Sequence, residues 1–556
     1  MKRYIIIAFA AALMGGFSAC NDELDVEQHG STSVNAFYSN DTECLEGLAA
    51  VYSGFNTMNS DYTSWIANDW YFGMAMSDDC YSGGGDRGND GDYEEINELR
   101  FTAANSKISA LFKLYYITIY RCNLLISNVP GDTEVQKRII AEAKTIRSFC
   151  YLKLTSYFSD VPLIIEEIKD GNYAKPLATR SEIFTQIESD LKEAISSGVL
   201  YEKKNADDKI VNVTKQTAQA ILGKAYVYWS TFENANKWAE ARSVLTEVIK
   251  SNKYRLVDYS VDGYDYNDQF HITGRFSPES MFEVNRFYDA NNLPMVAFHQ
   301  RMGWRTERFV PAEFLAAQES GATNCSASSF GFFNPSQELY DAFVEMEGED
   351  GYRLNQSIRT YKQLVAIPLR IADGKYLYAT AGHLLNKCAP RSEETIKVHY
   401  VAQDYVMLRY ADVLLLAAEA ELPSNGGNQA NCDTYLNMIK ERARESADKM
   451  RGNYTLTDIQ KERRLELCFE GSRYFDLVRW GIIADAYKDK GKKIPNLHGL
   501  YDNSDNNNQK MENVNGYNVS YLETSSQGYQ SKHSVLPLPQ SELDVNQYVE
   551  QNALWR

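Results

Sequence analysis

Apolar residues in this chain recur at helical spacing over long stretches, and the stretches come in neighbouring couples. Between residues 134 and 158, Ile139, Ala143, Ile146, Cys150 and Leu154 follow a 4-3-4-4 spacing, which is one face of an α-helix. From Thr214 to Phe232, Ala218, Ile221, Leu222, Ala225, Tyr226 and Trp229 share a face, and Trp238, Ala241, Leu245, Val248 and Ile249 share the next. Val406, Tyr410, Val413, Ala417 and Ala420 repeat the pattern. The reading predicts four helix pairs: 41–58 with 109–128, 134–158 with 181–197, 215–232 with 237–251, and 404–421 with 431–446. Small residues at contact positions, as in "QAILGKAYVYW" followed by "WAEARSVLTEVI", suggest tetratricopeptide-type packing. Long insertions interrupt any fixed period, so no regular solenoid is expected. An irregular helical bundle is the competing reading.

Loop-rich regions separate the pairs. Residues 59–107 are rich in Gly, Asp, Asn and aromatics; 252–403 mix short apolar runs with turn residues; 496–532 are rich in Asn, Ser and Tyr. Long ordered loops usually carry function, so a loop-rich cap with short strands is expected on one side of the helices. The chain holds 38 Tyr, whose large apolar face and polar tip suit binding surfaces. A net charge of −18 argues against a nucleic-acid partner. There is no HExxH, GxSxG or GxxxxGK[ST] motif, which disfavours a zinc protease, an ordinary serine hydrolase and an NTPase. A glycosidase stays open, because its two carboxylates can come from distant loops.

The loop "DDCYSGGGDRGNDGD", residues 78–92, places Asp86, Asp90 and Gly91 in part of an EF-hand pattern, but Gly88 and Asn97 stand where oxygen ligands are needed. A polar binding loop is the preferred reading. No cofactor is expected, and calcium is only weakly supported. Eight cysteines besides Cys20 show no CxxC pair and no disulfide framework.

At the start of the chain, Lys2 and Arg3 precede ten apolar residues, Ile5 to Met14, then small residues and Cys20. This is the build of a secretory signal peptide over 1–19, too short to span a bilayer. Phe17-Ser18-Ala19-Cys20 resembles the bacterial lipobox, with Phe17 where Leu is usual, so Cys20 is expected to be lipidated. Two or three acyl chains suffice for anchoring. Residues 20–40, opening on the acidic "NDELD", would be a tether and a candidate surface-sorting tag.

The segment "ERRLELCFEGSRYFDLVRWG", residues 462–481, is dense in charge. Glu462, Glu466 and Glu470 recur every four residues, and Arg463, Arg473 and Arg479 can clamp carboxylates with forked bonds. A structural ion-pair lattice is expected. With "VLPLPQSELDVN", "RYADVLLLAAEAEL", "SPESMFEVNR" and "LFKLYYITIYRCNLLI", this segment resembles the SusD/RagB family of nutrient-uptake lipoproteins. The resemblance runs from Cys20 almost to the last residue. It implies a mainly α fold, four tetratricopeptide-like pairs in an α/α superhelix under a loop-rich cap, as a single domain over 41–556. It also implies an outer-membrane, lipid-anchored protein on the extracellular face, which lids a TonB-dependent transporter and binds a glycan without catalysing a reaction. A surface glycoside hydrolase and a peptide-capturing member of the family are the alternatives. Family ligand residues come from divergent loops and do not carry over singly. Stacking of rings on sugars, with planar polar groups on the hydroxyls, singles out Trp65, Trp70, Tyr81 and Arg87, and beyond the "ESMFEV" block Tyr288, Trp304 and Arg305. Trp304, between Gly303 and Arg305, is the leading candidate.

Overall fold

The computed structural model describes residues 37–55, 69–203, 211–285, 299–327, 329–397, 400–401, 403–446, 448–501 and 511–556. Its fold is mainly α. The first helix pair is α1 (Asp41–Ser53) with α2 (Ser106–Asn128), and the second is α3 (Glu134–Phe158) with α4 (Arg180–Ser196). The third is α5 (Lys215–Phe232) with α6 (Trp238–Lys250), and the fourth is α7 (Tyr410–Ala420) with α8 (Gln429–Arg442). Side-chain caps set several starts: Asn40 opens α1, Thr133 opens α3, and Thr179 with Glu182 forms a capping box on α4. Each helix packs on the next along the chain, α2 on α3, α4 on α5 and α6 on α7, so the pairs form one continuous scaffold. Gly223 shows why small residues recur: a Cβ there would lie 2.3 Å from Leu245 Cδ2, inside α6. Every residue of α7 is buried, since α5, α6, α8 and α9 (Leu456–Glu466) all contact it.

Several boundaries differ from the sequence reading, the start of the fourth pair by the most. Helix α7 begins at Tyr410, because Tyr405–Arg409 instead pairs antiparallel with Ser280–Val284. Val406 thus belongs to a strand, where β-branched residues fit.

The cap is built on a four-stranded sheet of β1 (Leu377–Tyr378), β2 (Lys493–Leu500), β3 (Glu512–Val514) and β4 (Tyr517–Glu523), in the order β3-β4-β2-β1. A second, smaller core under it gathers Trp304, Phe309, Phe314, Tyr361, Leu369 and Leu497.

Charge is buried between scaffold and cap. Arg353, 0% exposed, meets Glu462 at 2.7 Å, Glu347 at 2.8 Å, Glu466 at 2.9 Å and Glu445 at 3.4 Å. Arg409 reaches Glu279, Glu466 and Glu470 at 2.5–2.6 Å. Arg463 bridges Asp412 and Asp476, and Arg479, at the end of α10 (Arg473–Arg479), forks on Glu419. The expected lattice is therefore present, with its acids and bases drawn from six separated stretches of chain. Its outermost members, Arg464 and Arg473, hold Asp79 and Asp78 at 2.7–2.9 Å. These two aspartates open the Gly/Asp loop, so the lattice fixes where that loop starts. All eight described cysteines are free and buried.

Candidate functional site

The Gly/Asp loop crosses residues 330–336 as a short backbone ladder. Tyr81 N donates to Asn334 O at 2.9 Å, Gly84 N to Gly331 O at 2.8 Å, and Phe333 N to Ser82 O at 3.1 Å. The glycines permit this approach. Gly83 has φ 69°, and a Cβ on it would sit 2.5 Å from Gly331 O; a Cβ on Gly85 would meet Arg305 Nη2 at 2.9 Å. Loop residues 80–90 and the 301–309 segment thereby share one face.

At its centre is Asp86. Tyr376 OH donates to Asp86 Oδ1 at 2.7 Å and Arg308 Nη2 to Asp86 Oδ2 at 2.7 Å, while Arg308 Nη2 also donates to Gly85 O at 3.0 Å. Burial alone would raise the Asp86 carboxyl, but Tyr376 and Arg308 outweigh it and hold it below its ordinary value. The Tyr376 ring lies 5.5 Å from His498, whose Nε2 is 2.8 Å from Ser520 Oγ and whose pKa burial lowers. Arg305 bonds the exposed Glu307 and reaches Phe330 O at 3.4 Å. Arg87 forks on Glu98 and lies 3.3 Å from Glu94. The face thus offers half-exposed rings, guanidinium forks and a neutral imidazole, held by bonds to one another. Such groups lie flat on a ring and bind hydroxyls.

Three sequence candidates, Tyr81, Arg87 and Arg305, lie on this face or its edge; Tyr81 is half-buried against Tyr378 and Ile494. Two others are placed elsewhere. Trp304 is 4% exposed in the second core and donates from Nε1 to Leu385 O at 2.8 Å. Trp70 is 1% exposed in the short helix Asp69–Met76 and stacks on Tyr405 at 5.0 Å. Both rings are core, so neither presents a platform to solvent. Cys20, Trp65 and Tyr288 lie outside the described residues. Calcium fits poorly: the Asp86 carboxylate is held by Arg308 and Tyr376, and Asp90 by Arg301 at 2.7 Å and Lys107 at 3.1 Å. Among the described residues no group of three or more His, Cys, Asp or Glu could hold a metal ion. The sequence reading missed Arg308, Tyr376 and His498. Their only signal is position in the turn-rich 252–403 and 496–532 regions.

The SusD family model matches residues 299–555, and a model described as starch-binding and associating with the outer membrane matches 85–228. The chain belongs to the SusD family. A SusD-like protein of Bacteroides ovatus is 25% identical over 505 residues, covering 86% of this chain and 83% of that one. SusD-like protein P38 of Formosa agariphila is 23% identical over 501 residues, covering 86% and 92%. A solved laminarin-binding SusD-like protein superposes with a TM-score of 0.71 at 26% identity, over 93% of this chain and 100% of its own. Surface glycan-binding protein A from Bacteroides thetaiotaomicron, solved with laminarihexaose, shares the fold at a TM-score of 0.69 and 22% identity, over 92% and 99%. The SusD membership accounts for both the helix pairs and the charged signature. No described helix is long and apolar enough to cross a membrane.

Proposed function

We propose that this SusD-family chain is a non-catalytic, cell-surface glycan-binding lipoprotein of the outer membrane, anchored through Cys20 and acting as the lid of a TonB-dependent transporter. The observation that carries the binding role is the cap face, where Tyr376, His498, Arg305 and Arg308 converge on the Asp86 loop. Its carboxylates support binding rather than bond cleavage: Asp86, Asp90 and Glu98 are each committed to a cation. Glu94 is pushed up by burial, against the pull of Gly88 N–H and Arg87, and is enclosed rather than open to a substrate. The laminarin-binding relative makes laminarin oligosaccharides the first ligands to try.

The test incubates purified chain lacking the lipid with laminarin and with other polysaccharides. Retention on the polymer without new reducing ends is the expected result. New reducing ends that disappear in Glu94→Gln would overturn the non-catalytic reading and support a surface hydrolase. For the anchor, Cys20→Ala should move the protein from the membrane fraction into soluble material. Membrane retention without acyl label would defeat that part.

A further inference from the structure

The cap carries a second polar hollow that shares no residue with the face around Asp86. It measures about 480 Å³, within the range of small-molecule sites, and its lining includes Tyr340, Asp341, Asn355, Lys362, Gln363 and His383. Tyr340 and Asp341 come from the helix Gln337–Glu347. His383 comes from the strand His383–Leu385, paired with Ile358–Thr360. Lys362 and Gln363 come from the helix Tyr361–Ala366, which Thr360 and Gln363 cap reciprocally.

Its groups are set in advance of any ligand. The half-exposed Tyr340 ring stacks on His383 with centroids 4.2 Å apart and planes at 17°. Gln363 Nε2 donates to Asn355 Oδ1 at 2.7 Å, and Asn355 Nδ2 to Gly351 O at 2.9 Å, which fixes both amides. Gln337 Nε2 donates to Asp341 Oδ1 at 2.7 Å, so its Oε1 faces His383 Nε2 at 3.0 Å and accepts from it. That places the imidazole proton on Nε2 and leaves Nδ1 as an acceptor. His383 is 2% exposed, and its Nδ1 has no hydrogen-bond partner among the described residues. Burial lowers its pKa to about 3, so the ring stays neutral. A buried acceptor without a partner is rare and calls for a donor such as O–H or N–H. Charge narrows the choice. Asp341, Glu349 and Asp350 line the hollow against Lys362 alone, so anions are repelled.

We propose that this hollow is a second binding site, which takes one ring of a neutral or amine-bearing carbohydrate. The inference is independent of the cap-face reading, because none of its groups lies on that face.

The test uses calorimetry on soluble chain carrying Arg305→Ala, so that failure of the cap face and failure of this site are told apart. The probes are cellobiose, the free-amine disaccharide of glucosamine, and digalacturonic acid. The first two should bind and the third should not. Tyr340→Ala should weaken binding about threefold to tenfold, the scale of one lost aromatic contact. Gln363→Ala, at a half-exposed position, should weaken it as well, which guards against a Tyr340 variant that misfolds. Equal binding of digalacturonic acid would overturn the proposal. So would no binding of any probe, or unchanged affinity in both folded variants.

Discussion

Arg353 in the buried lattice is 0% exposed and meets four carboxylates, whereas Arg305 on the cap face is half-exposed and meets one, the exposed Glu307. The side chain is the same and the surroundings decide what it does. In the lattice, each guanidinium neutralises charges that water cannot reach, so removing one partner strands the others. On the cap face the same forks are screened by solvent and contribute little to folding. Their donors stay within reach of a ligand. The two regions are joined at Asp78 and Asp79, where lattice arginines fix the start of the loop that builds the face.

The contrast breaks first at Arg353. Arg353→Ala should cost about 3–5 kcal/mol or prevent folding, since it leaves buried carboxylates uncompensated. Chemical denaturation measures it, and a melting point within a few degrees of the parent would mean that these charges are relieved in some other way.

Trp304 sharpens the contrast from the cap side. It belongs to the same segment as Arg305, yet Trp304→Ala should cost about 3–5 kcal/mol, as burial of a large ring implies. A loss of glycan binding with no loss of stability would return Trp304 to the exposed role that the sequence suggested.

The same pair of residues shows what sequence carries. The lattice was legible because its acids repeat every four residues, Glu462 and Glu466 on α9 and Glu470 in the turn that follows, among arginines that need partners. The helix pairs were legible because Ile139, Ala143, Ile146, Cys150 and Leu154 keep helical spacing, and all five are fully buried. Trp304 misled because its neighbours in sequence are polar. Its burial depends on Leu385 and on the close approach of Gly303 to Ser329 and Pro390, none of which spacing reveals. Tyr376 and His498 went unread for a similar reason: Tyr376 reaches Asp86 from 290 residues away, and His498, on β2, lies against the Tyr376 ring. Local periodicity encodes the scaffold, while the face arises from long-range contacts.

Arg473 tests the joint between the regions. It forks on Asp78 at 2.8 and 2.9 Å. Arg473→Ala should cost about 3 kcal/mol, the low end for a broken buried pair. Because Asp78 opens the loop, hydrogen exchange should quicken over residues 78–92. Exchange unchanged there, with stability lost, would show that the lattice and the face are independent.

pH separates two kinds of buried acid within the lattice. Burial would raise Asp78, Asp412 and Glu466, but Arg473 for the first, Arg463 and Lys224 for the second, and Arg442, Arg409 and Arg353 for the third outweigh it and hold each below its ordinary value. Their contribution to stability is present above the unfolded carboxyl pKa of about 4 and is lost as pH falls below it toward the folded values. Glu445 behaves oppositely. Burial, with the Glu462 charge added, raises it to about 7. Its contribution is full below the unfolded value of about 4 and is lost as pH rises through about 7. The melting temperature should therefore fall steeply below about pH 4 and slope gently downward from pH 5 to 8. Glu445→Gln should flatten the gentle slope and leave the acid limb in place. An acid limb that is absent in the parent protein would contradict the assignment of these aspartates and glutamates as ion-paired.

The smallest effect on stability and the clearest on binding should come from Tyr376→Ala. The ring is half-exposed, donates to the exposed Asp86 and lies 5.5 Å from His498. Losing this exposed contact should cost about 1 kcal/mol or less, the scale of a typical net hydrogen bond. A ring that lies against a sugar contributes about 0.5–1.5 kcal/mol beyond its area, so affinity for a short laminarin oligosaccharide should fall roughly threefold to tenfold. Calorimetry on the soluble chain is the suitable measurement, because several contacts along a polymer would mask so small a change. Arg305→Ala should lower affinity in the same direction, since its guanidinium lies against the glycine turn at Gly85. If both variants bind as the parent does and keep their stability, the face around Asp86 is only a brace for the loop. The polar contacts would then resemble the lattice in purpose, and the contrast between buried and half-exposed arginines would be one of degree.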